Sequence, residues 1–284
     1  MIKKLVYTLS VLTLGASLLT GCATTKNKET EDIQKKEIKF GACAGPYGDM
    51  IKYTIAPGLE EKGYTVSIIE FSDYVQPNLA LDKGEIDANL FQHQVYFDNF
   101  TKEHNLSLVS LTNVPTAGLG FYSNKYKSLE EIEEGSTLTV PNDVTNLRRS
   151  LKEAQNAGLL TIDESVDPTT FTEKNIIDNP LNLVITPVEA PQLARSLESA
   201  ELAAVPGNYA IAAGLDLSTA LYTEKLAEEM KNVVAVRASD IDQPFVKDIE
   251  EVLQSEGFKK AIENSDYYFS SFQKPEWYIT KWGK

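Results

Sequence analysis

The sequence predicts an α/β protein made of two similar lobes joined by two crossing segments. Three observations lead there. Apolar alternation, typical of strands, and longer amphipathic runs, typical of helices, follow one another as βαβαβ between residues 37 and 91. The same pattern starts again at residue 137 and runs to 205. Pro77 and Asp87 are spaced as Pro191 and Glu201 are, and Leu79-Ala80 matches Leu193-Ala194. Finally, two apolar runs, Gly118-Leu119-Gly120-Phe121-Tyr122-Ser123 and Asn232-Val233-Val234-Ala235-Val236-Arg237, stand where the chain must pass between lobes.

In the first half, residues 37–41 read as a strand that Ala42-Cys43-Ala44-Gly45-Pro46 interrupts. Met50, Ile51, Ile55 and Leu59 recur near helical spacing until Lys62-Gly63 ends the run. Residues 64–71 form the second strand, 75–83 a helix closed by Gly84, and 85–91 the third strand. In the second half, strands at 137–140, 181–185 and 201–205 alternate with helices at 145–158 and 191–197. Helices at 245–253 and 258–262 return to the first lobe, which takes residues 37–120 and 237–284; the second takes 121–236. Parallel sheets flanked by helices place ligand contacts at the strands' carboxyl ends. Two lobes on two crossings make a clamp that closes on a small molecule. The aromatic tail, Tyr267-Tyr268-Phe269 and Trp277-Tyr278, is expected to pack on a lobe.

Composition narrows the chemistry. A net charge of -14 argues against nucleic acid, and two histidines, His93 and His104, argue against a histidine-built metal site. No metal or cofactor is expected. No apolar run of membrane-spanning length follows the first twenty or so residues. Those residues, Lys3-Lys4 followed by an apolar run, read as a signal peptide of residues 1–21. Leu19-Thr20-Gly21-Cys22 resembles the bacterial lipobox, which implies acylation of Cys22, and residues 22–36 read as a polar tether to a membrane's outer face. Cys43 then lacks a disulfide partner, and it reads as a small packed residue rather than a nucleophile.

Pro141-Asn142-Asp143-Val144-Thr145-Asn146-Leu147-Arg148-Arg149 reads as a strand end, a turn and a helix start. Free N–H groups of a first helical turn favour an anion, and two arginines strengthen that bias; an ordinary capped helix with exposed arginines fits the same residues.

Phe71-Ser72-Asp73-Tyr74-Val75-Gln76-Pro77-Asn78, Gly84-Glu85-Ile86-Asp87-Ala88-Asn89-Leu90-Phe91-Gln92-His93 and Pro141-Asn142-Asp143-x-Thr145-Asn146-x-x-Arg149 resemble, in order, the NlpA-type methionine-binding lipoproteins. The likeness runs over roughly residues 38–262. It implies the two-lobed periplasmic-binding-protein-like fold of type II, a small amino-acid ligand, and delivery to the permease and ATPase of an ABC importer by a monomer without catalysis. It also implies that Tyr74, Phe91, His93 and Tyr96 wrap a methionine side chain. Arg149 would pair with the ligand carboxylate, Asn146 would assist it, and Asn232 would hold the ligand's backbone end. Departures concentrate in the second lobe. Val205-Pro206-Gly207-Asn208 stands where the family has Ile-Asn-Gly-Asn, so Pro206 replaces an asparagine and offers no N–H. Arg148 stands where a small residue is usual. Pro206, Asn208 and Arg148 are therefore the positions expected to alter specificity. A methionine binder for the L form, the D form or a short methionine peptide, a relative retuned to another amino acid or dipeptide, a surface adhesin and a carboxylate-based enzyme stay as the alternatives, in that order.

Overall fold

A computed structural model describes residues 36–283. Cys22, the expected signal peptide and nearly all of the tether lie outside these residues. Strand β1 (Glu37–Cys43) leads into helix α1 (Pro46–Met50), a wider π-turn (Ile51–Ile55) and α2 (Ala56–Glu61). The wide turn sits just before Pro57, whose ring excludes the carbonyl four residues back and whose nitrogen carries no proton, so the helix loosens there instead of ending. Strand β2 (Thr65–Phe71), α3 (Gln76–Asp82) and β3 (Ala88–His93) complete the βαβαβ unit. Helix α4 (Gln94–His104) and β4 (Leu108–Asn113) follow, and neither was marked by the sequence pattern.

The chain then enters the second lobe through β5 (Gly120–Tyr122). β6 (Thr137–Pro141), α5 (Val144–Asn156), a small hairpin of β7 (Thr161–Ile162) and β8 (Ile176–Asp178), and β9 (Val184–Val188) come next. α6 (Leu193–Ser196), β10 (Leu202–Val205), α7 (Gly207–Ala212) and β11 (Tyr222–Thr223) finish this half. β12 (Asn232–Arg237) leads back to α8 (Pro244–Leu253), α9 (Glu256–Ile262) and α10 (Glu276–Trp282).

The two five-stranded sheets have matching order. The first is β2-β1-β3-β12-β4 and the second, read from the corresponding edge, β9-β6-β10-β5-β11. Each begins with three parallel strands and then receives one antiparallel strand, β12 or β5, delivered by a crossing. This corrects the expected second lobe of 121–236: Asn232–Arg237 is not a crossing but a strand of the first sheet, paired with both β3 and β4. An all-apolar run suits a strand buried between two neighbours as well as it suits a connector. The spacing shared by Asp87 and Glu201 also has a structural counterpart. Asp87 accepts from the Lys39 N–H at 2.9 Å and Glu201 from the Thr137 N–H at 2.9 Å, so each acid ties down the start of the equivalent neighbouring strand.

Ile38, Phe40, Met50, Leu59, Val234, Ile249 and Phe258 anchor the first lobe's core. The C-terminal aromatics join it, with Phe269, Phe272 and Tyr278 buried there. Leu138, Val140, Leu147, Leu151 and Leu202 form the core beneath α5 in the second lobe.

One buried polar cluster holds α3 onto β3. Asn78 and Gln92 exchange side-chain hydrogen bonds at 2.7 Å in both directions, and the Asn89 amide donates to Asn78 Oδ1 at 2.9 Å. Much of the stretch from Asn78 to Gln92 is therefore architectural, because three buried amides satisfy one another. Asn78→Leu is expected to lower stability by about 3 kcal/mol, since each buried polar group left unpaired costs ~1–3 kcal/mol. Urea unfolding measures this; a loss under about 0.5 kcal/mol, the level of an ordinary surface change, would contradict the role.

Candidate functional site

The carboxyl ends of the parallel strands from both sheets converge on one cavity. Tyr74, Phe91, His93, Tyr96, Asn146, Arg149 and Asn232 all line it, as do Pro206 and Asn208. The sequence reading did not mark Tyr47, Gln92, Ala117 or Gly207, which line it too. Tyr47 lies just beyond β1, where the strand-end rule directs attention, but it carries no distinguishing neighbour.

One end of the cavity is aromatic. The Tyr74, Phe91 and Tyr96 rings lie 5.8–6.2 Å apart between centroids. Their polar tips are committed elsewhere: the Tyr96 hydroxyl donates to the Tyr74 carbonyl at 2.9 Å, and the Tyr74 hydroxyl to Asn208 Oδ1 at 2.7 Å. Burial holds both phenols neutral by raising their pKa values. Ring faces remain for a ligand, and these suit an aliphatic or thioether chain. Cys43 packs behind them, its thiol donating to the Asp73 carbonyl at 3.1 Å, and burial foremost pushes that thiol up in pKa. It is a packed residue without nucleophilic character.

The other end is polar and charged. Asp143 caps α5, accepting from the Asn146 N–H at 2.9 Å, so the anion expected at this helix terminus is the chain's own carboxylate. The Asn146 amide nitrogen also donates to Asp143, which turns its Oδ1 toward His93 and Arg149. His93 Nδ1 accepts from the Tyr96 N–H at 3.1 Å, so the proton rides on Nε2, which donates to Asn146 Oδ1 at 3.0 Å. Arg149 Nη1 donates to the same oxygen at 3.1 Å.

Arg149 has a partner that no local pattern indicates. Its Nε donates to Glu224 Oε1 at 2.9 Å and its Nη2 to Oε2, in a buried two-pronged pair with side chains 6% and 2% exposed. Three of the five guanidinium N–H bonds are thus engaged. One on Nη1 and one on Nη2 remain to donate to a carboxylate. The Asn232 amide lines the same cavity and has no hydrogen-bond partner among the described residues. Arg148 does not join it. Successive helical residues diverge by about 100°, and Arg148 instead lies 6.0 Å above the Phe171 ring. It is no second cation for the cavity.

The lobes meet across this site. The His93–Asn146 and Tyr74–Asn208 bonds both join one lobe to the other, and the Asn208 amide nitrogen donates to the Ala44 carbonyl at 3.4 Å. Gly45 permits that approach: at φ +117°, a Cβ there would sit 2.4 Å from the Asn208 carbonyl oxygen.

Burial, reinforced by the Arg149 charge, lowers the His93 pKa from 6.5 to about 3 against the opposing Asn146 bond. The folded protein thus binds fewer protons than the unfolded chain between these values. Its contribution to stability is complete above pH 6.5 and is lost as the pH falls toward 3. Stability should drop by up to about 1.4 kcal/mol per pH unit in that window from this group. Nitrogen NMR should find His93 neutral and Nε2-protonated at pH 5; a charged imidazole at that pH would overturn the assignment.

Comparison with known proteins agrees with this geometry. Residues 38–277 match the family described as NlpA lipoprotein. The D-methionine-binding lipoprotein MetQ of Escherichia coli K12 is 34% identical over 253 residues, covering 87% of this chain and 90% of that protein. Among solved structures, a nutrient binding protein from Burkholderia cenocepacia bound to methionine is 38% identical with a TM-score of 0.75, covering 80% of this chain and 95% of that one. A putative methionine-binding lipoprotein from Bacillus subtilis is 35% identical with a TM-score of 0.75, covering 81% and 95%. With its two matched sheets and its cavity between them, the chain belongs to the NlpA lipoprotein family.

Proposed function

We propose that this protein is a lipid-anchored, extracytoplasmic solute-binding protein of an ABC importer that captures methionine and passes it to the permease and ATPase. The observation that carries the reading is the two-ended cavity, with two unengaged guanidinium N–H bonds and the Asn232 side-chain amide at one end and aromatic rings at the other. The methionine-bound neighbour and the MetQ relatives support the same ligand class. The α-carboxylate takes the Arg149 fork, Asn232 takes the backbone end, and the thioether lies among Tyr74, Phe91, His93 and Tyr96. Nothing is transformed: the ligand touches both lobes and so favours the closed arrangement over the open one. Acylation at Cys22 tethers the monomer to the membrane through residues 22–36.

Pro206 gives weight to a second reading, a site retuned to another amino acid. It lines the cavity without an N–H, and the neighbouring Asn208 amide is spent on Tyr74 and Ala44. Mass spectrometry of the small molecule released from purified protein separates the two readings, methionine supporting the first and a different amino acid the second.

Arg149→Lys, which keeps the charge but loses the fork, and Arg149→Ala are each expected to weaken methionine binding about a hundredfold or more, from two charge-assisted bonds at ~1.5–3 kcal/mol apiece. Calorimetry on variants that retain the parent circular dichroism measures this. Unchanged affinity in both would remove Arg149 from the carboxylate role.

A further inference from the structure

Arg149 is the one ionised side chain among the residues lining the cavity, and its charge is already matched before any ligand arrives. His93 is neutral there, and the rest of the lining is aromatic, amide, proline, glycine or alanine. Glu224 stands behind the arginine, outside the lining, and its Oε2 also accepts from the Leu119 N–H at 2.9 Å. Asp143, the nearest other acid of this network, is occupied by Thr145 and by the Asn146 backbone and side chain.

We propose that Glu224 sets the net charge of the ligand that the cavity accepts, restricting it to species with no net charge, and so selects an amino-acid zwitterion over the corresponding carboxylic acid anion. A buried site shielded from bulk solvent resists an uncompensated charge. A zwitterion brings its own cation together with its carboxylate. A lone carboxylate would leave two anions sharing one guanidinium. Glu224 acts through Arg149 and is a positioning and charge-setting residue rather than a ligand contact. The inference rests on the amino-acid reading above and adds a rule that neither the arginine nor the aromatic wall supplies.

The test compares methionine with 4-(methylthio)butanoate, which lacks only the amino group, by calorimetry at constant ionic strength. The parent protein is expected to prefer methionine by about a hundredfold or more, the scale of one buried charge left unpaired. In Glu224→Gln that ratio is expected to fall at least tenfold, with the butanoate binding as tightly as before or more so. If Glu224 merely holds the arginine in place, both ligands weaken together and the ratio stands, which overturns the proposal. Glu224→Asp, which keeps the charge, should weaken both ligands and keep the ratio. Should Glu224→Gln not fold, the parent protein decides the matter with 4-(methylthio)butanoate and its uncharged amide. The anion should bind no more than about tenfold tighter than the amide, whereas a preference of a hundredfold would show an uncompensated arginine and overturn the rule. If methionine itself does not bind, the amino-acid identified in the released material and its des-amino acid replace the pair. Failure of the ligand assignment is thereby separated from failure of the charge rule.

Discussion

The buried pair of Arg149 and Glu224 connects parts of the molecule that share no secondary structure. Arg149 projects from α5, while Glu224 follows β11 at the start of the return crossing, and Leu119, which donates to the same carboxylate, ends the outward crossing. Removing either ion would strand the other in a buried position, at a cost of ~3–5 kcal/mol. The pair therefore holds the guanidinium in one orientation and the two crossings in one arrangement. It also leaves one edge of the arginine free to face the cavity.

The C-terminal segment reinforces the same place. Gln273 pairs backbone to backbone with Thr116 of the outward crossing. Its side-chain amide donates to the Glu224 carbonyl at 2.8 Å and accepts from the Leu226 N–H at 2.9 Å. The Asn232 N–H, where the return crossing becomes β12, donates to the Thr116 hydroxyl at 2.8 Å. Motion between the lobes must be accommodated around this braced junction, so the tail that packs on the first lobe also belongs to the hinge. Hinges absorb backbone rotation over a few residues while the packed lobes stay rigid.

The cavity works by dividing its chemistry between ends and its supports between lobes. The first lobe supplies an aromatic wall beside the amide cluster of Asn78, Asn89 and Gln92 that fastens α3 to β3. The second supplies the charged end, held by Asp143 and Glu224. The Tyr74 and Tyr96 hydroxyls are engaged within the protein, so the aromatic end presents rings and the other end presents polar groups.

The duplicated α/β pattern, the strand–helix junctions and the residues near them were legible in the sequence, because periodicity, capping and turn chemistry act within a few residues. Asp87 and Glu201 even marked the repeat, since each bonds to the neighbouring strand near the amino end of its sheet's central strand. The junctions pointed to 141–149, and the family likeness selected Arg149 and Asn146 within it and assembled the other cavity residues. Arg149 rather than Arg148 faces the cavity because of the rotation of the helix on its core. The placement of β12, the pairing of Arg149 with Glu224 and the bracing by Gln273 had no sequence signature. They join positions tens to more than a hundred residues apart, and only the closing of two sheets on shared crossings brings those groups within hydrogen-bonding distance.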